Sequence, residues 1–239
     1  MLTGERTLPG VPEENYWFRR HEAAYRSLAP FTTGAILLEA GCGEGYGATL
    51  LAEGAGLVVG LDYDAATVRH VGARYPTAVH AVRGDLQRLP LRGGVVEVVV
   101  SLQTVEHLHD QVGFVRECAR VLRVAGTLAL STPNRLTFSP GGAPPVNPFH
   151  TRELAPAELD ELIAPFFHPN RRWGLRHGRR LRQWERRHGP LVTALLTAPP
   201  PAWPPELRDL ALSVTAEDFD VDEKSRADSL DLITVAVRR

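Results

Sequence analysis

The chain has 239 residues, 44% of them hydrophobic, and a formal net charge of -1. That length suits one well-buried α/β core with additions and is short for two independent domains, and the charge balance gives no global field to draw in nucleic acid or an anionic membrane. Two cysteines, Cys42 and Cys118, cannot build a disulfide framework and lack metal-ligand spacing, while no apolar run reaches the length of a membrane span; the expectation is a cytoplasmic protein with no membrane span.

"EENYWFRRHEAAYRSLAPF" mixes aromatics and charges at helical spacing and stops at Pro30 and the turn Thr32-Thr33-Gly34. It predicts a leading helix laid over the core, a cap covering residues 1–34. From there strands and helices alternate. "AILLEAG" reads as a buried strand, "YGATLLAEGA" as a helix, "LVVGLDYD" as a second strand and "AATVRHVGARY" as a second helix. "AVHAVRGD" is a third strand, and "VVEVVVSLQ" a fourth, valine-rich as a strand buried on both faces should be. "QVGFVRECARVLRVAG" follows as an amphipathic helix ending in glycine, and "TLALSTPN" as a fifth strand. Five such units in order imply a doubly wound, mostly parallel sheet occupying 35–239.

The last third is less regular. "NPFHTRELAPAELDELIAPF" reads as a loop and a helix, leading into a short sixth strand near His168 to Trp173. "SLDLITVAVRR" reads as the closing strand. The intervening 174–226 is too long for a plain connection, and inserts of that kind are commonly lids or binding elements, so acceptor recognition is placed there.

Ligands in open parallel sheets bind outside the carboxyl ends of the strands, so the residues closing each strand carry the chemistry. The first strand ends in Glu39 and a loop with glycines at 41, 43, 45 and 47; a dinucleotide fingerprint needs glycine where Tyr46 stands, and no G-K-[ST] cradles phosphates. The second strand ends in Asp62, placed for ribose hydroxyls. The third ends in "GDL", where Asp85 can accept from an exocyclic adenine amine and Leu86 can read the ring edge through its backbone. The fourth ends in "SLQTVEH", which adds Gln103. Without a second phosphate cradle, the set describes an adenosine with a small polar tail.

"EAGCGEGYG", "GLDYD", "GDLQRLPL", "VVVSLQTVEHL" and "ECARVLRVAGTLALSTPN", in that order from Ile36 to Asn134, resemble the successive motifs of class I S-adenosylmethionine-dependent methyltransferases, whose fold is Rossmann-like. The resemblance implies S-adenosyl-L-methionine as cofactor, with Glu39, Gly41, Gly43 and Gly45 along its methionine moiety, Asp62 on the ribose, Tyr63 beside the adenine and Asp85 near the adenine amine. A narrower resemblance covers nearly the whole chain. "LTGERT" with "ENYWFRRHEAAY", then "NRLTFSPGG…NPFHTREL", then "LRHGRRLR…RRHG…SLDLITVAVR" are similar to an actinobacterial group encoded with the enzymes of methylglucose lipopolysaccharide synthesis. That likeness implies O-methylation of a glucosyl unit, with a glycan as acceptor; the motifs from Ile36 to Asn134 do not encode the acceptor, so a natural-product hydroxyl is the alternative. No nucleic-acid partner is expected, because "SLQT" stands where base N-methylating enzymes carry [DN]-P-P-[YF].

Methyl transfer to a hydroxyl is an in-line displacement that needs a proton acceptor, for which histidine suits neutral pH. His107, just past the fourth strand, is the first choice of base; its "EHL" setting reads equally as packing for the next helix. His150, in "NPFHTREL", lies above the same cleft, with a turn built by Pro148, Thr151 as helix cap and Glu153 in the first helical turn as the competing reading. His177, Arg180 and Arg182, on the insert, are candidate acceptor contacts, though charge runs more often form a solvated face. Arg20 or His21 can reach the methionine carboxylate. His109 and Asp110 are a weak metal pair, and no metal is expected.

Overall fold

The computed structural model of the protein describes residues 7–142, 145, 147–224 and 226–239. Strand β1 (Ile36–Ala40) pairs in parallel with β2 (Leu57–Asp62) on one side and β4 (Val96–Leu102) on the other. Outside them lie β3 (His80–Arg83), parallel to β2, and β5 (Leu122–Pro133), parallel to β4. The chain therefore reverses its direction of winding beside β1, which makes the carboxyl ends of β1 and β4 the switch point where open α/β sheets bind ligands. The sheet continues through β8 (Asp231–Arg238), β6 (Phe167–His177) and β7 (Phe219–Asp222), giving the order β3-β2-β1-β4-β5-β8-β6-β7. Each of these last pairings is antiparallel. The expected mostly parallel, doubly wound sheet is observed.

Alternation along β1 assigns the two faces. Leu37 belongs to the core beneath α1 (Asn15–Leu28), α2 (Tyr46–Ala52) and α3 (Ala65–Arg74), whereas Leu38 and Ala40 belong to the core beneath α4 (Gln111–Val121). Period-two geometry puts Glu39 on the α1 face with Leu37. Helix α1 buries Tyr16, Arg20, Ala23, Ala24 and Leu28, a stripe at helical spacing that carries a charged residue in its middle. After β5 come a single turn α5 (Arg135–Phe138) and α6 (Pro156–Ile163), the latter on the α4 face through Leu159 and Ile163.

Three expectations for the later chain need correction. The helix expected to reach Gly126 ends at Val121, because Leu122 already pairs with Val96 and Ala125 takes a left-handed φ of 58° before the register settles. The sixth strand runs to His177 rather than Trp173, so the stretch treated as the start of an insert lies inside the sheet. The rest of 174–226 holds α7 (Arg179–His188), α8 (Leu191–Thr197), α9 (Pro205–Ser213) and the edge strand β7, whose Leu181, Leu191, Leu195, Leu207 and Phe219 extend the α1-face core. "FDVD" gives no strand signal of its own; its pairing with Gly174–His177 makes it one.

Candidate functional site

A cavity of about 400 Å³ opens at the switch point, within the range of small-molecule sites. Its wall begins at the loop after β1. The Gly41 and Cys42 amides both donate to Leu61 O at 2.9 Å, which folds the loop back over β2. Gly41 has φ +86°, and a Cβ there would lie 2.6 Å from Thr104 Oγ1. Gly43, at φ +48°, lines the cavity, and its missing Cβ would point into open space. That bare backbone is a cradle for a ligand to lie against.

Asp62 closes β2 and is 6% exposed. Its Oδ2 accepts from Gly43 N at 3.1 Å and its Oδ1 from Asp64 N at 3.0 Å, so the carboxylate is fixed at the cavity wall beside the cradle. Tyr63 and Leu86 line the same end. A carboxylate beside an aromatic and an aliphatic wall, next to open glycine backbone, fits a nucleoside with a polar tail.

Other expected residues fall outside the cavity lining. Asp85 is exposed and its carboxylate accepts from Gln87 N at 2.8 Å, closing its own turn. Gly45 caps α2 and packs against Val71 of α3. Glu39 is fully buried beneath α1, where Tyr25 Oη donates to its Oε1 at 2.5 Å and its Oε2 has no hydrogen-bond partner. Burial pushes this carboxyl up to about 8.

Helix α1 supplies one side of the cavity. Arg20 is 2% exposed and forks onto the Asp231 carboxylate, with Nε donating to Oδ2 at 2.7 Å and Nη2 donating to Oδ1. The guanidinium also lies 4.7 Å from the Phe138 ring centroid. Gln103, at φ +50°, turns its amide to Ser131 Oγ (3.0 Å) and Asp231 Oδ1 (3.2 Å), linking this ion pair to the end of β4. His21 lines the cavity against Tyr46 Oη (2.7 Å); burial, helped by the Arg20 charge, brings its ring down to about 4, so it is neutral at physiological pH.

Across the cavity, the loop before α6 folds against the short turn after β4. Thr151 N and Oγ1 donate to Glu106 O at 2.8 and 3.0 Å, and Oγ1 also to Leu108 O at 2.9 Å. Thr151 therefore clamps two loops together instead of capping α6, which starts only at Pro156. The clamp brings His107 and His150 into edge contact, ring centroids 4.9 Å apart, both lining the cavity. His107 Nδ1 lies 3.0 Å from Phe149 O, and His150 Nδ1 lies 2.8 Å from Glu153 Oε1. Between them Glu106 is fully buried, its Oε2 accepting from Thr132 Oγ1 at 2.9 Å; burial pushes its carboxyl up to about 7, against the pull of His150.

The structure thus joins the two histidines, Asp62, Tyr63, Leu86, Gln103, Gly41, Gly43 and Arg20 around one cavity. It does not bring His177, Arg180 or Arg182 there. His177 is 4% exposed and sits between Tyr16 Oη (2.6 Å) and Glu185 (3.0 Å). Arg180 is held by Asp218 at 2.6 Å, and Arg182 faces Asp220 at 3.5 Å. His177 ties β6 to α1 and α7, and the two arginines tie α7 to β7 and the turn before it; among the described residues the insert's contribution to the lining is Leu196 of α8 instead. Asp110, the other half of the weak metal pair, caps α4 by accepting from Gly113 N at 2.7 Å.

Sequence reasoning missed Asp231, Tyr25 and the position of Glu106. A charged residue in the buried stripe of α1 was the available signal for the first. The "EH" pair was visible, but its buried carboxylate was not.

Residues 38–130 match the family model described as a methyltransferase domain. Over 99% of its length the chain is 51% identical to a protein of Mycolicibacterium smegmatis named "Probable S-adenosylmethionine-dependent methyltransferase", covering 95% of that protein. It is 50% identical to a protein of the same description from Mycobacterium tuberculosis strain H37Rv, covering 99% of this chain and 89% of the relative. Among solved structures, the S-adenosylmethionine-dependent methyltransferase of Mesorhizobium loti superposes with a TM-score of 0.60 at 18% identity, covering 92% of this chain and 98% of that one.

Proposed function

The chain belongs to the S-adenosylmethionine-dependent methyltransferases, with S-adenosyl-L-methionine as methyl donor, and from that premise we propose that it methylates a hydroxyl group, that of a glucosyl unit in an oligo- or polysaccharide. The observation that carries the O-methyl reading is the pair of histidines, ring centroids 4.9 Å apart, that both line the cavity. The glucosyl acceptor is supported by the likeness of the stretches at the start, middle and end of the chain to the methylglucose lipopolysaccharide group.

When bound, the cofactor supplies an electrophilic methyl on a sulfonium. The residues of this chain do the rest. Asp62 fixes the ribose, Gly43 lies along the methionine moiety, Tyr63 and Leu86 flank the ring, and Arg20 with His21 borders the polar tail. Positioning of this kind contributes at most on the order of 7 to 11 kcal/mol to a two-substrate reaction. The acceptor hydroxyl lies toward His107 and His150, whose Nδ1 atoms face a carbonyl and a carboxylate, so in a neutral ring Nε2 is the nitrogen that takes a proton. A ring nitrogen taking the hydroxyl proton contributes roughly a hundred- to ten-thousandfold. Leu196 of α8 lines the same cavity, which supports an acceptor role for the insert.

The test is transfer from labelled S-adenosylmethionine to α-linked gluco-oligosaccharides, with the modified position read by NMR. Product methylated at one glucose hydroxyl is the expected result. Absence of transfer in a preparation shown to bind the cofactor refutes the glucosyl acceptor and favours a hydroxyl of a natural-product small molecule.

A further inference from the structure

Glu106, His107 and His150 each offer one ligand atom, and those atoms lie within 4.8 Å of one another. Two imidazoles and a carboxylate are the donor set of open transition-metal sites, with free coordination positions left for substrate. Three further observations point the same way. Glu106 Oε1 is buried at the cavity with no hydrogen-bond partner, while Thr132 holds the other oxygen and fixes the carboxylate plane. The Nδ1 position of each histidine is already used by an oxygen, Phe149 O for His107 and Glu153 Oε1 for His150, which directs Nε2 to a ligand as outer-shell partners of metal-bound histidines do. Glu153 is itself 2% exposed, with His150 as its hydrogen-bond partner among the described residues, and the Thr151 clamp fixes the approach of the two loops.

We propose that Glu106, His107 and His150 form a binding site for one divalent first-row transition-metal ion at the acceptor side of the cavity. Bonds of about 2.0–2.2 Å place ligand atoms roughly 3–3.5 Å apart, a separation that side-chain rotation brings about while the Thr151 clamp holds the two loops. Asn147 Nδ2, now 3.0 Å from His150 Nε2, gives up that nitrogen to the ion. Mixed imidazole and carboxylate donors favour manganese, iron, cobalt or zinc over magnesium, which takes oxygen ligands and water.

The ion's task rests on the hydroxyl-methylation reading; its binding does not. The acceptor oxygen enters an open coordination position, and its proton is released to solvent water. A lone pair on that oxygen then forms the C–O bond as the C–S pair returns to sulfur, leaving a neutral thioether. His107 and His150 act here as ligands, and the ion takes over from a ring nitrogen the work of making the hydroxyl acidic.

The test uses the full-length protein dialysed against a chelator and titrated with Mn²⁺, the free ion being followed by its EPR signal. One Mn²⁺ per chain is expected, with paramagnetic broadening of the His107 and His150 ring resonances in the wild-type protein. His107→Ala, His150→Ala and Glu106→Gln should each lower Mn²⁺ affinity at least tenfold, with thermal unfolding and S-adenosylmethionine binding checked in parallel. No bound Mn²⁺, or binding that leaves both ring resonances sharp, overturns the site. Mn²⁺ bound as described in a protein inactive on gluco-oligosaccharides upholds the site and refutes only the acceptor. Methyl transfer undiminished after chelation, with no ion bound, refutes the site and leaves the transferase reading intact.

Discussion

Replacing Asp231 by Asn tests what holds the first helix to the last strand. The change keeps the shape and removes the charge that Arg20 faces, at a place where the two side chains are 2% and 1% exposed. Arg20 retains one side-chain oxygen and the Leu230 carbonyl at 3.4 Å, but its charge is left buried without a counter-ion. Breaking a buried pair in this way costs about 3–5 kcal/mol, a large part of the roughly 5–15 kcal/mol that separates folded from unfolded chains. For a chain of this size that corresponds to a fall in melting temperature of about 6–20 °C. Arg20→Met combined with Asp231→Leu removes both charges and should cost less stability than the Arg20→Met and Asp231→Leu single variants summed, which is the coupling read from that double-mutant cycle. Calorimetric melting of the four proteins at one pH measures it. A single Asp231→Asn variant melting within about 2 °C of wild type, or a double variant worse than the sum of the singles, refutes the reasoning.

Asp62→Ala removes an acceptor from the cavity wall and unpairs the Gly43 and Asp64 amides; cofactor affinity in titration calorimetry should fall about tenfold to a hundredfold, and an unchanged value excludes Asp62 from the cofactor site. Gly43→Val puts a branched side chain into the cradle at a left-handed φ and should cut cofactor affinity at least tenfold while leaving near-native secondary structure by circular dichroism; full affinity places the cofactor elsewhere. Glu39, with a folded value of about 8 against 4.5 when unfolded, binds more protons in the native state across that window. Native stability attributable to it is therefore fully present below about pH 4.5 and lost as pH rises towards 8. Glu39→Gln should flatten that fall, by on the order of a few kcal/mol between pH 5 and pH 8 in urea titrations, and a parallel pH profile for the variant would remove the assignment.

What the sequence made legible follows from locality. Valine-rich runs, the glycine loop and the strand-closing Asp62 all report on backbone within a few residues, so the first five strands and one wall of the cavity could be read directly. The partners that complete the site are distant in sequence. Asp231 lies 211 residues from Arg20, and Thr151 meets Glu106 from 45 residues away. No periodicity announces such pairs. The insert misled for a related reason. Its arginines look like a surface or a glycan contact because their acidic partners are distant in sequence: Asp218 lies in the turn just before β7 and Asp220 on β7 itself, a four-residue strand that exists only by pairing with β6. Thr151 and Glu153 in turn looked like helix-start residues, yet the helix begins later and both serve the histidine cluster.

The attachment of α1 to the end of the chain also bears on biosynthesis. Asn15 donates to the carbonyls of Ala211 and Val214, and Arg20 meets Asp231 eight residues from the carboxyl terminus. On a ribosome emitting roughly 5–20 residues per second, β1 to β5 can emerge and pair long before these partners exist. A nascent chain carrying the complete glycine loop and Asp62 can already set Tyr25 of α1 on Glu39, yet its Arg20 still lacks Asp231. The lock between the first helix and the last strand is therefore among the last contacts to form, and a chain cut short of Asp231 leaves the Arg20 charge without its counter-ion.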